Sequence, residues 1–331
     1  MCQVGISWRG GAGLGGSRTP ASEEVVTVTG ISFEGRVAIV TGAGGGLGRA
    51  HALDLAARGA RVVVNDLGGD ISGSGGGTSM ADQVVREIVA AGGEAVANYD
   101  SVATPEGGRA IVQRAVDAFG TVDILVNNAG NIRNAPFTEL TPEAIEALLA
   151  VHVKGGFYVT QPAFAVMREK GYGRIVFTAS AAGVFGSPEQ ANYAAAKSAV
   201  VGLANVVALE GAPHGIKVNT ILPVSESRMI ADMNPETLAG VPRTPAHREP
   251  EMITAMVSYL ASEANPYTHE MFSIARGRYA RVFVGVAEGH QVPYEAPVAT
   301  ADDVAAHIDR IRDQEGYHVP GSMVEEFSLV P

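Results

Sequence analysis

The chain has 331 residues, enough for one large α/β domain or two small ones, and its 46% hydrophobic content can supply a sizeable core. Its 24 basic and 35 acidic side chains leave a formal charge of −11, which argues against a nucleic-acid-binding surface and against attraction to anionic membranes, while leaving local basic patches open. A single cysteine, Cys2, excludes an intrachain disulfide and a cysteine-based metal site and fits a reducing, cytoplasmic setting; no apolar run approaches the ~20 residues of a membrane span.

Residues 1–31 are rich in Gly and Ser, lack hydrophobic periodicity and lack the apolar core of a secretory signal, so a flexible leader is expected. Gly11, Gly13 and Gly16 have the spacing G-x-G-x-x-G, but no strand precedes them and no helix follows, which makes them a decoy. The second glycine cluster differs: Arg36 to Thr41 reads as a buried strand, GAGGGLG follows, and a helical pattern runs from Arg49 to Arg58. Gly42, Gly46, Leu47 and Gly48 therefore stand at a strand-to-helix junction, where backbone amides and a helix N-terminus can receive a pyrophosphate. A second strand, Arg61 to Asn65, ends at Asp66, whose carboxylate can accept both ribose hydroxyls and would repel a 2′-phosphate. No Lys or Arg lies within Gly42 to Gly48, so NAD is expected over NADP, with Arg49 the one nearby cation.

The glycine-rich stretch 67–79 reads as a surface loop near the cofactor, followed by a helix over Met80 to Ala90 and a strand ending at Asn98, where Asp100 and Ser101 can meet the adenine edge. A further strand, Val122 to Val126, leads into Asn127, Asn128, Ala129 and Gly130. Alternation continues through Ile175 to Thr178 and Lys217 to Ile221, which implies one doubly wound, Rossmann-type α/β domain over 32–270 with a parallel sheet, and a C-terminal extension over 271–331 packed on it.

Thr141-Pro142-Glu143 reads as the start of one long helix reaching Lys170, and Ser180 closes the apolar run RIVFTAS. Tyr193 and Lys197, four residues apart on the next helix, share one face. A free tyrosine has a pKa of ~10, so only about one molecule in a thousand is phenolate at pH 7, and a neighbouring ammonium would favour that form. A hydroxyl, a phenol and an ammonium thus suit general acid/base work on an alcohol, with Ser180 holding the substrate oxygen. The helix from Gln190 to His214 is rich in Ala and Val, which suits close packing either between subunits or inside one domain. No His, Asp or Glu set has metal-ligand spacing.

Together, TGAGGGLG at Thr41 to Gly48, NNAG at Asn127 to Gly130, Ser180 and YAAAK at Tyr193 to Lys197 resemble the short-chain dehydrogenase/reductase superfamily over residues 33–331. The resemblance implies that Tyr193 is the catalytic acid/base, that Lys197 also binds the nicotinamide ribose, that Ser180 orients the substrate, that Pro223 joins the cofactor-binding set, and that the protein is a homodimer or homotetramer. VVVNDLGGD at Val62 to Asp70, VANYDSV at Val96 to Val102, EQANY at Glu189 to Tyr193 and SRM at Ser227 to Met229 look more narrowly like the (3R)-hydroxyacyl-CoA dehydrogenase portion of peroxisomal multifunctional enzyme type 2 and its bacterial relatives. Members of that group oxidise 3-hydroxyacyl-CoA thioesters with NAD, and some act on hydroxysteroids.

Two departures stand out. Where the superfamily has an asparagine that holds a water near the lysine, this chain has His152, as the multifunctional subgroup does; the imidazole either anchors that water or is satisfied within the helix packing. The usual Pro-Gly after the last strand is Pro223-Val224, at the start of an expected substrate lid over Val224 to Pro250. Beyond Met271, Arg276, Arg278 and Arg281 either meet coenzyme A phosphates or form a solvated surface, and a terminal helix is expected around Asp302 to Arg312. The remaining alternatives are a hydroxysteroid or other carbonyl reductase on the same site, and an NAD-binding interaction protein without turnover.

Overall fold

In the computed structural model, the described residues are 30–329 apart from 70, 71, 73, 74, 76, 225–246 and 248. The expected leader, up to residue 29, and most of the expected lid lie outside them. Among the described residues, eight strands form one sheet in the order β3-β2-β1-β4-β5-β6-β7-β8. They are β1 Val37–Thr41, β2 Arg61–Asn65, β3 Glu94–Asn98, β4 Ile124–Asn127, β5 Gly173–Thr178, β6 Ile216–Val224, β7 Glu270–Ala275 and β8 Arg278–Val282. All neighbours pair in parallel except β7 with β8. The inner strands are continuous apolar runs such as VAIVT because helices cover both faces and no side chain is left to meet water.

The helices are α1 Gly46–Ala57, α2 Ser79–Ala90, α3 Pro105–Phe119, α4 Pro142–Leu148, α5 Gly155–Lys170, α6 Ala181–Phe185, α7 Ala191–Gly211, α8 Pro250–Ala261, and the short α9 Ala301–Ala306, α10 Ile308–Ile311 and α11 Met323–Phe327. One core cluster joins the sheet to α3, α5 and α7, with Val112, Val159 and Ala204 in it; the other joins it to α1, α2 and α8 through Leu55, Val84 and Val257. Residues Ile31–Pro331, extension included, make one compact unit. The strand order reverses at β1 and β4, which opens the ligand crevice beyond their carboxyl ends.

Several elements differ from the sequence reading. The long helix is three segments: α4, a wide π turn over Leu149–Lys154, and α5. Thr141 caps its start as expected, its side chain accepting from the Ala144 N–H at 3.2 Å. Pro162 inside α5 cannot donate to the Tyr158 carbonyl one turn back, and Gly108 of α3 packs there so closely that an added Cβ would lie 2.2 Å from that oxygen. β6 is not the last strand and does not stop at Ile221. It runs to Val224, and Pro223 is tolerated because pairing with β5 ends at Ile221 while pairing with β7 continues. The expected terminal helix is broken into α9 and α10 at His307. Against the expectation of no span, Ala191–His214 is long and apolar enough to cross a membrane by length and composition alone; only 33% of its apolar window is buried. Its many alanines raise the hydropathy, and one face packs on β5 and β6.

Candidate active site

The glycine turn after β1 is closed by Thr41. Its hydroxyl accepts from the Asn128 and Ala129 N–H groups at 3.0 and 3.1 Å, while Asn128 Nδ2 donates to the carbonyls of Thr41 and Gly42 at 2.9 and 3.1 Å. The two motifs are therefore one structure, and Gly42 and Gly48 sit where no side chain fits. A Cβ on Gly42 would come 2.7 Å from Ala129 Cα, and one on Gly48 2.2 Å from the Gly42 carbonyl. Gly46, at φ 52, faces open space at the start of α1. An open helix N-terminus beneath a glycine backbone fits a dinucleotide pyrophosphate. Leu47, next to Gly46, instead turns its side chain toward the α1–α8 core.

Asp66 is fixed at the end of β2: Oδ2 accepts from the Gly44 N–H at 2.8 Å and Oδ1 from the Gly68 N–H at 2.7 Å. Arg49 pairs with Glu87 at 2.5 Å. Asp100 and Ser101 follow β3, but their side chains are engaged locally, Asp100 with Asn98 Nδ2 at 2.7 Å and Ser101 with the Ala103 N–H at 3.2 Å. Gly130 lies against the His152 ring, an added Cβ reaching within 2.7 Å of Cε1. Pro223 stands further along the same edge, within β6.

Ser180, Tyr193 and Lys197 come together from β5 and α7. Ser180 caps α6, its oxygen accepting from the Ala182 N–H at 3.2 Å, and its hydroxyl is near enough to the Tyr193 phenol to influence its ionisation. Burial pushes that phenol above the usual tyrosine value and the Ser180 hydroxyl pulls it down. Lys197 is 3% exposed, and burial lowers its pKa to about 7. Its Nζ donates to the Thr178 carbonyl at 2.6 Å and stands 5.7 Å from the centre of the Tyr193 ring.

His152 sits in the π turn with its ring edge-on to Tyr193 at 5.5 Å. Burial holds it well below the ordinary histidine value, the Lys197 charge acts in the same direction, and the Asn131 backbone bond opposes both. Nε2 lies 2.8 Å from the Asn131 carbonyl and 3.3 Å from its N–H. Nδ1, and Thr178 Oγ1, are buried without a hydrogen-bonding partner among the described residues. Both residues line a cavity of about 20 Å³ with Lys197, Asn127 and Thr41, a size suited to one water.

Thr41, Thr178, Asn131 and Asn192 escaped the sequence reading. Asn192 accepts from the Tyr193 N–H at 2.8 Å and donates to the Arg133 carbonyl at 2.9 Å, tying the start of α7 to the segment after β4. Its place beside the tyrosine was the one available signal.

A family model for short chain dehydrogenases matches residues 36–237. The chain is 46% identical over 247 residues to peroxisomal multifunctional enzyme type 2 of Mus musculus, an alignment covering 75% of this chain and 32% of that one, so it spans about a third of that relative's length. A short-chain type dehydrogenase/reductase of Mycobacterium tuberculosis is 43% identical over 286 residues, covering 86% of this chain and 97% of that one. The crystal structure of a short chain dehydrogenase from Mycobacterium avium superposes with a TM-score of 0.71 at 40% identity, covering 85% of this chain and 97% of that one.

Proposed function

The chain belongs to the short chain dehydrogenase family and is an oxidoreductase, and on that premise we propose that it interconverts a secondary alcohol and a ketone with NAD, its substrate being a (3R)-3-hydroxyacyl-CoA. The observation that carries the reaction is the convergence of Ser180, Tyr193 and Lys197 at the carboxyl edge of the sheet. In oxidation the Tyr193 oxygen takes the hydroxyl proton, and Ser180, already held by its cap to α6, donates to the substrate oxygen. Lys197, protonated, favours the ionised phenol. His152 Nδ1 and Thr178 Oγ1 are placed to hold a water beside Lys197, through which a proton can leave.

The glycine turn of Gly42, Gly46 and Gly48 would hold the pyrophosphate, Asp66 the adenine ribose, and Lys197 the nicotinamide ribose. The nicotinamide, when bound, supplies the hydride acceptor. NAD is favoured over NADP because a carboxylate fixed by two backbone N–H groups would repel a 2′-phosphate, and because Arg49 is engaged by Glu87. The thioester reading is supported by the narrow sequence resemblance and by the 46% identity to the mouse multifunctional enzyme. A second copy of the chain is the partner that the exposed apolar face of α7 fits.

NADH formation with 3R- and 3S-hydroxyacyl-CoA thioesters, hydroxysteroids and simple secondary alcohols tests this reading. The expected result is a preference for the 3R thioester, with Tyr193→Phe lowering kcat at least about 1,000-fold. Activity confined to steroids or simple alcohols would discard the thioester, and tight NAD binding with no turnover of any alcohol would discard the enzyme.

A further inference from the structure

The β7–β8 hairpin carries cations to the same edge of the sheet as the catalytic residues. Because β7 is parallel to β6, its end Ala275 lies level with Val224. The chain then reverses through Arg276 and Gly277 alone, Ala275 pairing with Arg278. Both turn residues are left-handed, at φ 55 and 84. A two-residue turn of this kind favours Asn-Gly. An arginine in its first position carries backbone strain that asparagine would largely avoid, and such strain points to a role beyond the turn.

The three arginines of this stretch are not equivalent. Met271 and Val282 pack in the core under α7, whereas Phe272 and Ile274 pack in the core under α8. Strand alternation therefore places Arg278 on the α7 face, the side that bears Tyr193 and Lys197, and Arg281 on the other. Arg281 pairs with Glu270 at 3.3 Å, three residues down the strand from the rim. Arg276 and Arg278 stand at the edge itself, with His247, itself paired to Glu249 at 3.3 Å, against Gly277.

Position also says whose anion they serve. The glycine turn for the cofactor follows β1, and β7 is four strands away, about 19 Å at ~4.8 Å per strand. β5, which leads to Ser180, is two strands away, about 10 Å, a distance that a pantetheine arm spans. An anion at this rim therefore belongs to the substrate. A chain of net charge −11 attracts none by its overall field, so local forked donors are required, and the guanidinium geometry matches phosphate.

We propose that Arg276 and Arg278 form an anion-binding rim that takes the phosphates of a coenzyme A carrier; the proposal rests on the thioester reading above. The test compares the wild type with Arg276→Asn/Arg278→Ala, in which asparagine keeps the left-handed turn, on one 3R-hydroxyacyl chain carried by coenzyme A or by pantetheine. The variant should raise KM for the coenzyme A thioester roughly tenfold, toward that of the pantetheine thioester, the arm that lacks the phosphates. Coenzyme A itself, titrated calorimetrically onto both proteins, reads the rim without turnover and should bind the variant about tenfold more weakly. A variant that binds coenzyme A as the wild type does overturns the rim. Weakened coenzyme A binding in the variant, when the wild type oxidises neither thioester, would uphold the rim and sink the substrate reading alone.

Discussion

At the scale of single residues, His152 separates a packing role from a chemical one. Its Nε2 is satisfied by the Asn131 backbone and its ring packs on Tyr193, so a purely structural role is already filled on two sides. Nδ1 has no such role, and it borders the same small cavity as Lys197, whose pKa of about 7 lets it exchange a proton near neutrality. His152→Ala is expected to lower kcat for oxidation about tenfold and to alter its pH profile, as loss of an ordered proton path would. His152→Asn, which restores an amide where the superfamily has one, should recover most of the rate. Loss of thermal stability in His152→Ala with kcat and the pH profile intact would leave the histidine a packing residue. The wide π turn that brings His152 to this place was not legible, since hydrophobic periodicity reports which face is buried and not a one-residue change in winding.

At the scale of elements, α1 and α8 meet over another buried histidine. His51 is fully buried, Nδ1 lies 2.8 Å from Thr254 Oγ1, and burial lowers its pKa from 6.5 to about 3, partly offset by Asp54. The unfolded chain binds a proton here below pH 6.5 that the folded one refuses until about pH 3. Stability therefore falls with pH across that window, by about 2 kcal/mol at pH 5 from this residue alone. His51→Gln, which keeps a partner for Thr254, should unfold in denaturant with a shallower loss of stability between pH 7 and 5 than the wild type. Equal slopes would show that His51 is protonated in the fold. The inner strands and α1 were legible from their apolar runs and the glycine cluster. β7 and β8 were not, because EMFSIA and RYARV mix polar with apolar residues, at largely part-buried positions in β7 and largely exposed ones in the edge strand β8, and so leave no continuous apolar run. Of the site, Ser180, Tyr193, Lys197 and Asp66 carry their chemistry in their identity. Thr41 and Thr178 act through contacts that only the fold creates, between β1 and β4 and within the cavity under α7.

At the scale of the molecule, α7 presents a surface that one chain does not use. Ala195, Ala199, Gly202, Val206 and Leu209 are exposed, and their spacing alternates four and three residues, the seam of a helix that packs on a like helix. Small residues at one end of the seam allow close approach of two backbones, while Val206 and Leu209, 53% and 47% exposed, supply apolar area at the other. Because each copy carries a charge of −11, association through this face works against net repulsion and should tighten as salt rises. Sedimentation of the wild type should therefore give a dimer or tetramer, more so at high salt, and Val206→Glu/Leu209→Glu should shift it to a smaller species with the fold retained. A wild-type monomer at micromolar concentration in high salt would mean that α7 meets some other surface. The same measurement bears on the active site, because Tyr193 and Lys197 sit on the opposite face of this helix. If the seam steadies them, the dissociated variant loses kcat as it loses mass, and titrating protein concentration should make specific activity and assembly rise together.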